Sequence, residues 1–366
     1  MEQGAGLHHQ QRAAYIDIAK GLLIILVVVG HVWQAVYHNG ILRNEVVYHM
    51  VDNWIYSFHM PAFFLLSGLF AMHSARRPAG EFIMHKLRTI AYPYLLWSVL
   101  QSSLQLLMKG STTNTLTITD ILKIPVYPQM QFWFLFALFY IFLLFIFLKQ
   151  LTSSRTVFLG TGILLFILFH QGCGVGSVAF TYLSRYFIYF AIGISCSDFL
   201  LLHGIEKLPG RVVLFFSVLL LLAVSFVTPY PSNVSHALVR AWEGPLVALP
   251  GTFFILSVAL LLFSVSKAVS NVLVFLGNRS LEIFVAHTIF AAGFRIVLLR
   301  IAGVDSVIVH VLGGTAVGLG GPLILVYLAK RFGLRYLFTW PSGVQQKKTD
   351  NGVSNNPMAG PCNSQG

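Results

Sequence analysis

Asp17, Lys20 and His31 lie inside one apolar run, YIDIAKGLLIILVVVGHVWQAV (residues 15–36). The run is long enough to cross a bilayer. A charged side chain near the bilayer centre costs at least about 2.5–3.5 kcal/mol on insertion scales, so such residues are candidates for chemistry. On a helix the three fall on nearly one face. Lys20 and His31, eleven positions apart, lie within about 20° of each other and about 16 Å apart along the axis. Asp17 and Lys20, at i and i+3, can pair directly, and an ion pair snorkelling at the membrane edge is their plain structural reading. His31 has no such explanation. It sits deep, between Gly30 and Val32, and is expected to face the bundle interior, where an imidazole offers proton transfer near neutral pH.

Further polar residues punctuate other apolar stretches. In WIYSFHMPAFFLLSGLF (54–70), His59 precedes Met60-Pro61 toward the far end, where an interfacial place would explain it. Ser67-Gly68 lies deep, and helix packing is its plain reading. In RRPAGEFIMHKLRTIAYPYLLW (76–97), Arg76 and Arg77 read as a basic loop. His85 and Arg88, at i and i+3, stand at the mouth of a span, where an arginine can grip phosphate with two hydrogen bonds. Trp133 in QFWFLFALF opens a span and fits an aromatic-belt anchor. In GNRSLEIFVAHTIF (277–290), Glu282 and His287 are five apart and do not stack on one face. His287 is deep, and Arg295 follows it by eight residues on nearly the same face. No HExxH, GxSxG, P-loop or GxGxxG motif is present. Cys173, Cys196 and Cys362 are scattered, so neither a disulfide framework nor a metal site is expected.

These residues must be positioned by membrane helices. Only 10% of the 366 residues are charged, and the mean hydropathy is +0.76. Soluble domains carry about 25% charged residues. The expected fold is an all-α, polytopic membrane helix bundle of about ten transmembrane helices. They fall near 16–37, 54–72, 90–108, 131–149, 156–170, 180–199, 212–229, 247–265, 281–300 and 306–329. The fifth is short, and GCGVG after position 170 admits a broken or re-entrant helix. With a cytoplasmic N-terminus, sixteen Lys and Arg fall in cytoplasmic segments, against Arg43, Lys109, Lys123, Arg240 and Arg300 outside. The positive-inside rule then puts both termini in the cytoplasm. The net charge of +12 is read as loop orientation and contact with anionic lipid, not nucleic-acid binding. Residues 1–340 are taken as one integral-membrane domain without internal repeats, and 341–366, rich in Gly, Ser, Asn, Gln and Pro, as a disordered tail.

In order and spacing, Asp17…Lys20-x10-His31, FHMPAFFLLSG, His85-x-x-Arg88 before YPYLLW, WFL after Gln131, and GNRSLEIFVAH resemble the integral-membrane acyltransferase-3 family. The similarity runs over roughly residues 12–330 and is nearest to its fucose/polysaccharide O-acetyltransferase branch. The resemblance implies transfer of an acetyl group from cytoplasmic acetyl-CoA, a co-substrate with no bound cofactor, to a hydroxyl of a cell-envelope or extracellular polysaccharide or its lipid-linked precursor. It implies a multi-pass protein of the bacterial inner membrane. The family's Arg/Lys-x10-His motif maps onto Lys20 and His31. Its Arg-x-x-Arg motif maps onto His85-x-x-Arg88, keeping only the second Arg, with Lys86 as an alternative phosphate ligand. Lys20 and Arg88, with His85, would hold the donor's phosphates. His31, about 16 Å deeper, would meet the thioester as general base or acyl carrier. Asp17, His59, Ser67, Trp133, Glu282 and His287 would support them, Asp17 by steadying Lys20. A proton-coupled transporter of a glycan precursor or small metabolite is the competing reading, since buried His and Arg serve such carriers too.

Overall fold

The first helix, α1 (Glu2–His38), runs without a break from the N-terminal residues through the whole first span. It ends at Asn39-Gly40, where Gly40 takes a positive φ of 73° that stops the helix. The computed structural model describes residues 2–107, 117–173, 176–202 and 237–340, with isolated positions between 212 and 222. The expected span 212–229 therefore lies largely outside the described residues, as do the 341–366 tail and residues 108–116 and 230–236 of the external loops. All regular structure among the described residues is helical.

After α1 come α2 (Glu45–Leu69), α3 (Ala71–Ser74) and α4 (Ala79–Lys86). A π-helical turn, Leu87–Ala91, leads into α5 (Tyr92–Leu107). Then follow α6 (Ile118–Leu122), a 3-10 turn (Met130–Phe132), α7 (Trp133–Leu151), α8 (Arg155–His170) and α9 (Val178–Leu202). The last helices are α10 (Ala237–Val265), α11 (Lys267–Asn278), α12 (Ser280–Ile296) and α13 (Val307–Arg331). A second π turn, Val297–Ile301, closes α12.

Each expected span within the described residues coincides with a helix to within a few positions, except that α1, α2 and α10 extend further at their N-terminal ends. Six helical segments are long and apolar enough to cross a membrane by length and composition, which makes this a multi-pass membrane protein. The α2 helix falls outside that group because Glu45, His49, Asp52 and Asn53 fill its first half. The α5 and α8 helices are each 16 residues long. Sequence periodicity did not announce α11, which is amphipathic and lies with its apolar side against α1.

α1 is the hub, touching α2, α10, α11, α12 and α13. Its residues Ile16, Ile18, Leu23, Ile24, Val27 and Val28 are fully buried. Around it, α2 packs on α9, α8 on α9, and α12 on α13. Two crossings depend on glycine. At Gly68 of α2, a methyl group would lie 2.1 Å from the Phe190 carbonyl oxygen of α9, and at Gly193 it would lie 2.1 Å from that of Leu65. At Gly277 of α11, it would lie 1.9 Å from the Asp17 carbonyl oxygen of α1. The backbones touch directly, as small residues permit in membrane bundles. Gly68 thus has the packing role expected of it, while its neighbour Ser67 turns elsewhere.

The segment after α13 folds back onto α5. The Trp97 indole N–H donates to the Leu337 carbonyl at 2.7 Å, and the Tyr92 hydroxyl to that of Tyr336 at 2.6 Å. This pins the start of α5, and the π turn before it, at the Lys20 end of the bundle.

Candidate active site

Two cavities open beside α1, and no residue lines both. The larger, about 420 Å³, holds Lys20, Lys86, Ser67, Ser74, Thr89, Asn278 and Ser280, and its apolar walls include Ile24, Phe63, Phe134 and Phe284. Lys20 pairs with Asp17 at 3.1 Å, both half-buried, which is the contact their spacing allows. The Ser67 hydroxyl donates to the Phe63 carbonyl at 2.8 Å. Lys86 stands over the Phe142 ring at 3.7 Å. Burial, then the nearby positive charge of Arg77, lowers its ammonium pKa from 10.5 to about 8.

His85 and Arg88 do not line this cavity; both are exposed. Of the basic run 85–88, Lys86 is the residue that turns inward. The cause is local: His85 and Arg88, at i and i+3, share the outward face, while Lys86, two residues from Arg88, lies about 200° around the helix.

The smaller cavity, about 140 Å³, is lined by His31, Thr288, Arg295 and His310 among small apolar residues of α1, α12 and α13. The partition between the cavities is thin on α12. Phe284 borders one and Thr288 the other, a single turn or about 6 Å apart, with His287 between them. On α1 the partition runs from Ile24 to His31, about 10 Å, across the buried Val27 and Val28.

His31, His59 and His287 come together here. The His31 and His287 ring centroids are 5.1 Å apart. The Tyr56 hydroxyl lies 3.4 Å from His31 Nδ1, and the Tyr56 ring meets that of His59 edge-on at 4.7 Å. His59 is buried, not interfacial: Pro61 and the tight α2–α9 crossing hold that stretch in the core, and His59 Nδ1 donates to the Ile55 carbonyl at 2.6 Å. His287 is fully buried, with Nδ1 within 2.8 Å of the Phe284 carbonyl and 3.1 Å of that of Ile283. Carbonyl oxygens only accept, so the His287 proton sits on Nδ1 and the lone pair on Nε2, which has no partner among the described residues. An unpartnered basic nitrogen in the membrane interior is costly and is a mark of function.

Trp133 is not a belt anchor. Its ring stacks on Tyr182 at 5.4 Å and 16°, with Tyr186 beside it, inside the α7–α9 contact. Glu282 is half-buried in the first turn of α12, lines neither cavity, and makes no ion pair among the described residues.

Sequence reasoning missed a buried polar cluster. Gln131 Nε2 donates to Gln101 Oε1 at 2.8 Å and to Thr288 Oγ1 at 3.0 Å, and the Thr288 hydroxyl donates to Gln101 Oε1 at 3.0 Å. It ties α5 and the start of α7 to the turn of α12 that carries His287. Met130, just before Gln131, holds a strained φ of 49°, and its sulfur takes a further Gln101 N–H at 3.4 Å. Ser98, Gln101 and Ser102 at i, i+3 and i+4 were the available signal, a polar stripe on α5 with the exposed Leu100 on the other side. Among the described residues no three His, Cys, Asp or Glu side chains converge as a metal site would.

Compared with known proteins, the chain matches an acyltransferase domain model over residues 13–327. No curated protein matches it, and no solved structure does. The matched stretch takes in α1 through most of α13, with both cavities and the histidine cluster between them. A domain model that spans this much of the chain settles its class: the protein belongs to this acyltransferase family and is a membrane acyltransferase.

Proposed function

We propose that the protein transfers an acetyl group from cytoplasmic acetyl-CoA to a hydroxyl of a cell-envelope or extracellular polysaccharide, or its lipid-linked precursor, in a bacterial inner membrane. The observation that carries this reading is the gradient in the larger cavity. It has two ammonium groups, Lys20 and Lys86, and an apolar interior that ends against the partition holding His31 and His287. That order, cations then apolar wall then imidazole, matches a phosphate-rich head, a pantetheine arm and a thioester. Arg88, exposed on the rim beside Thr89, is available to the outermost phosphate. His31 then takes the proton of the acceptor hydroxyl as that oxygen attacks the thioester carbonyl, or first accepts the acyl group on nitrogen. The coenzyme A thiol leaves the way it came. The partition is closed in this structure, so passage of the arm requires side chains on α12 and α1 to move aside.

The direct test supplies labelled acetyl-CoA to the reconstituted protein with polysaccharide and follows the label. Ester-linked label on the glycan supports the reading; label that stays on the coenzyme or in free acetate defeats it.

Two further results are expected. Lys20→Ala should weaken acetyl-CoA binding by roughly tenfold or more, the effect of losing one charged hydrogen bond, and Lys20→Arg should recover most of it. Lys86 adds a pH dependence. Its ammonium, with a pKa of about 8, loses its proton as pH rises from 7 to 9. The donor's phosphates have completed their second ionisation near pH 6 and do not change over that range. Donor affinity should therefore fall as pH rises through about 8 and be nearly flat in Lys86→Arg, whose charge persists. An identical slope in both proteins would remove Lys86 from the donor site.

Orientation is testable separately. The excess of basic residues at the Lys20 end supports a cytoplasmic position for that end. Reporter fusions at 45, 115 and 235 should read external, and one at 345 cytoplasmic. An external reading at 345 would break the assignment of donor side and span count.

A further inference from the structure

The smaller cavity has hydrogen-bonding capacity that the protein does not use. Arg295, in the last turn of α12, donates through Nη1 to Asn39 Oδ1 at 2.5 Å. Its Nε–H is buried and has no partner among the described residues. No described carboxylate pairs with it: the ion pairs found are Lys20–Asp17, His49–Glu45 and Arg155–Asp198. Across the cavity, on α13, His310 is 1% exposed. Its Nε2 lies 2.8 Å from the Val304 carbonyl, which puts the proton on Nε2 and leaves Nδ1 as an acceptor. That Nδ1 is buried and also unpartnered.

The two orphans differ in kind. Arg295 offers a charged donor and asks for an anion, whereas His310 Nδ1 asks for a hydroxyl or amide proton. A buried charge without a counter-ion is strongly disfavoured, and an unsatisfied buried acceptor costs a further increment. Among the described residues lining the cavity Arg295 alone is fully ionised, so a single negative charge balances it. Free Nε–H beside the guanidinium edge suits a carboxylate. The volume, about 140 Å³, equals roughly five waters at about 30 Å³ each. That admits one sugar residue, not a stretch of polymer. Thr288 and Arg295 lie two turns apart on α12, about 10 Å, so a residue anchored by its carboxylate at Arg295 can present a hydroxyl near His31 and Thr288.

We infer that the smaller cavity is the acceptor site and that it selects an acidic sugar, a hexuronate residue whose carboxylate meets Arg295 and whose hydroxyl donates to His310 Nδ1. The inference rests on the acetyl-transfer reading for the step that follows, but binding can be read without it. A lipid headgroup could supply an anion too, and the test separates the two sources.

Full-length protein is reconstituted in phosphatidylcholine vesicles. Binding of a hexuronate-bearing trisaccharide is compared with that of its carboxyl-reduced counterpart, first without donor and then with acetyl-CoA. Wild type should bind the acidic form at least about tenfold more tightly. Arg295→Gln should erase the preference while leaving the KM for acetyl-CoA unchanged, and Arg295→Lys should keep part of it. Equal binding of the two saccharides by wild type overturns the inference, and this arm needs no variant to fold. So does loss of the preference when phosphatidylglycerol is added, because the lipid then fills the site. Preferential binding without acetyl transfer leaves the acceptor site standing and defeats the acetyltransferase reading. Transfer to both saccharides alike does the reverse.

Discussion

His31→Gln is expected to abolish acetyl transfer, by about two to four orders of magnitude, in protein that inserts normally and still binds acetyl-CoA. Glutamine keeps the approximate size and the hydrogen-bonding capacity of histidine, but its amide takes no proton at neutral pH. The structure says why donor binding should survive. Lys20 and Lys86 stand in a cavity that His31 does not line, with buried Val27 and Val28 between. Activity is read as ester-linked acetate on the glycan, donor affinity by labelled acetyl-CoA, and insertion by protein level in the membrane fraction. Substantial transfer by His31→Gln would end its role as base or acyl carrier. The role would then pass to His287, whose Nε2 is already a free lone pair in the partition. His59 is a weaker successor, since it reaches the cluster only through the Tyr56 ring.

Gly68→Ala should be among the most destabilising single changes in the bundle. The added methyl would stand 2.1 Å from the Phe190 carbonyl oxygen, and a main-chain atom cannot swing away as a flexible side-chain tip can. Helices α2 and α9 must separate along their crossing, and overpacking of this kind costs about 1–3 kcal/mol, occasionally more. The thermal midpoint of the solubilised protein should fall by several degrees. Gly193→Ala should do the same, because it blocks the same crossing from the other side. The double variant should lose less than the sum of the two, since one separation relieves both clashes. Gly160 is the control: it is helical, nothing lies within 4 Å of its added methyl, and Gly160→Ala should be neutral or slightly stabilising. An unchanged midpoint in Gly68→Ala would mean that the crossing is looser than its geometry requires. Because α2 also carries Tyr56, His59 and Ser67, the variant should lose activity before it unfolds.

The helices were legible because a membrane span is written in length and apolarity alone, and the residues on the α1 face were legible because one helix preserves its own spacing. Lys20 and His31 open into different cavities from that single face, as an eleven-residue separation allows. What spacing within one element could not show is what other elements bring to meet it. His287 and Tyr56 reach His31 from α12 and α2. Gln101 and Gln131 meet Thr288 although 187 and 157 residues separate them from it. Trp133 went to the interior because Tyr182 and Tyr186 offer it a stacking face, which no reading of α7 alone contains. Lys86, which the sequence offered in place of His85, is the basic residue of that run that lines the larger cavity, because it lies about 200° around the helix from Arg88.

The partition has a consequence for the cell as well as for the reaction. If the proposed reaction takes its donor on one face and its acceptor from the other, the protein must not become a wire for ions. Here the two cavities are separated by hydrocarbon side chains and by the packed rings of His31 and His287, with the thinnest point a single turn of α12. A coenzyme arm that parts those rings fills the gap as it makes it. On the proposed reading, insulation and group transfer would be served by the same few ångströms of packed side chain, and the membrane potential would stand across the protein during transfer.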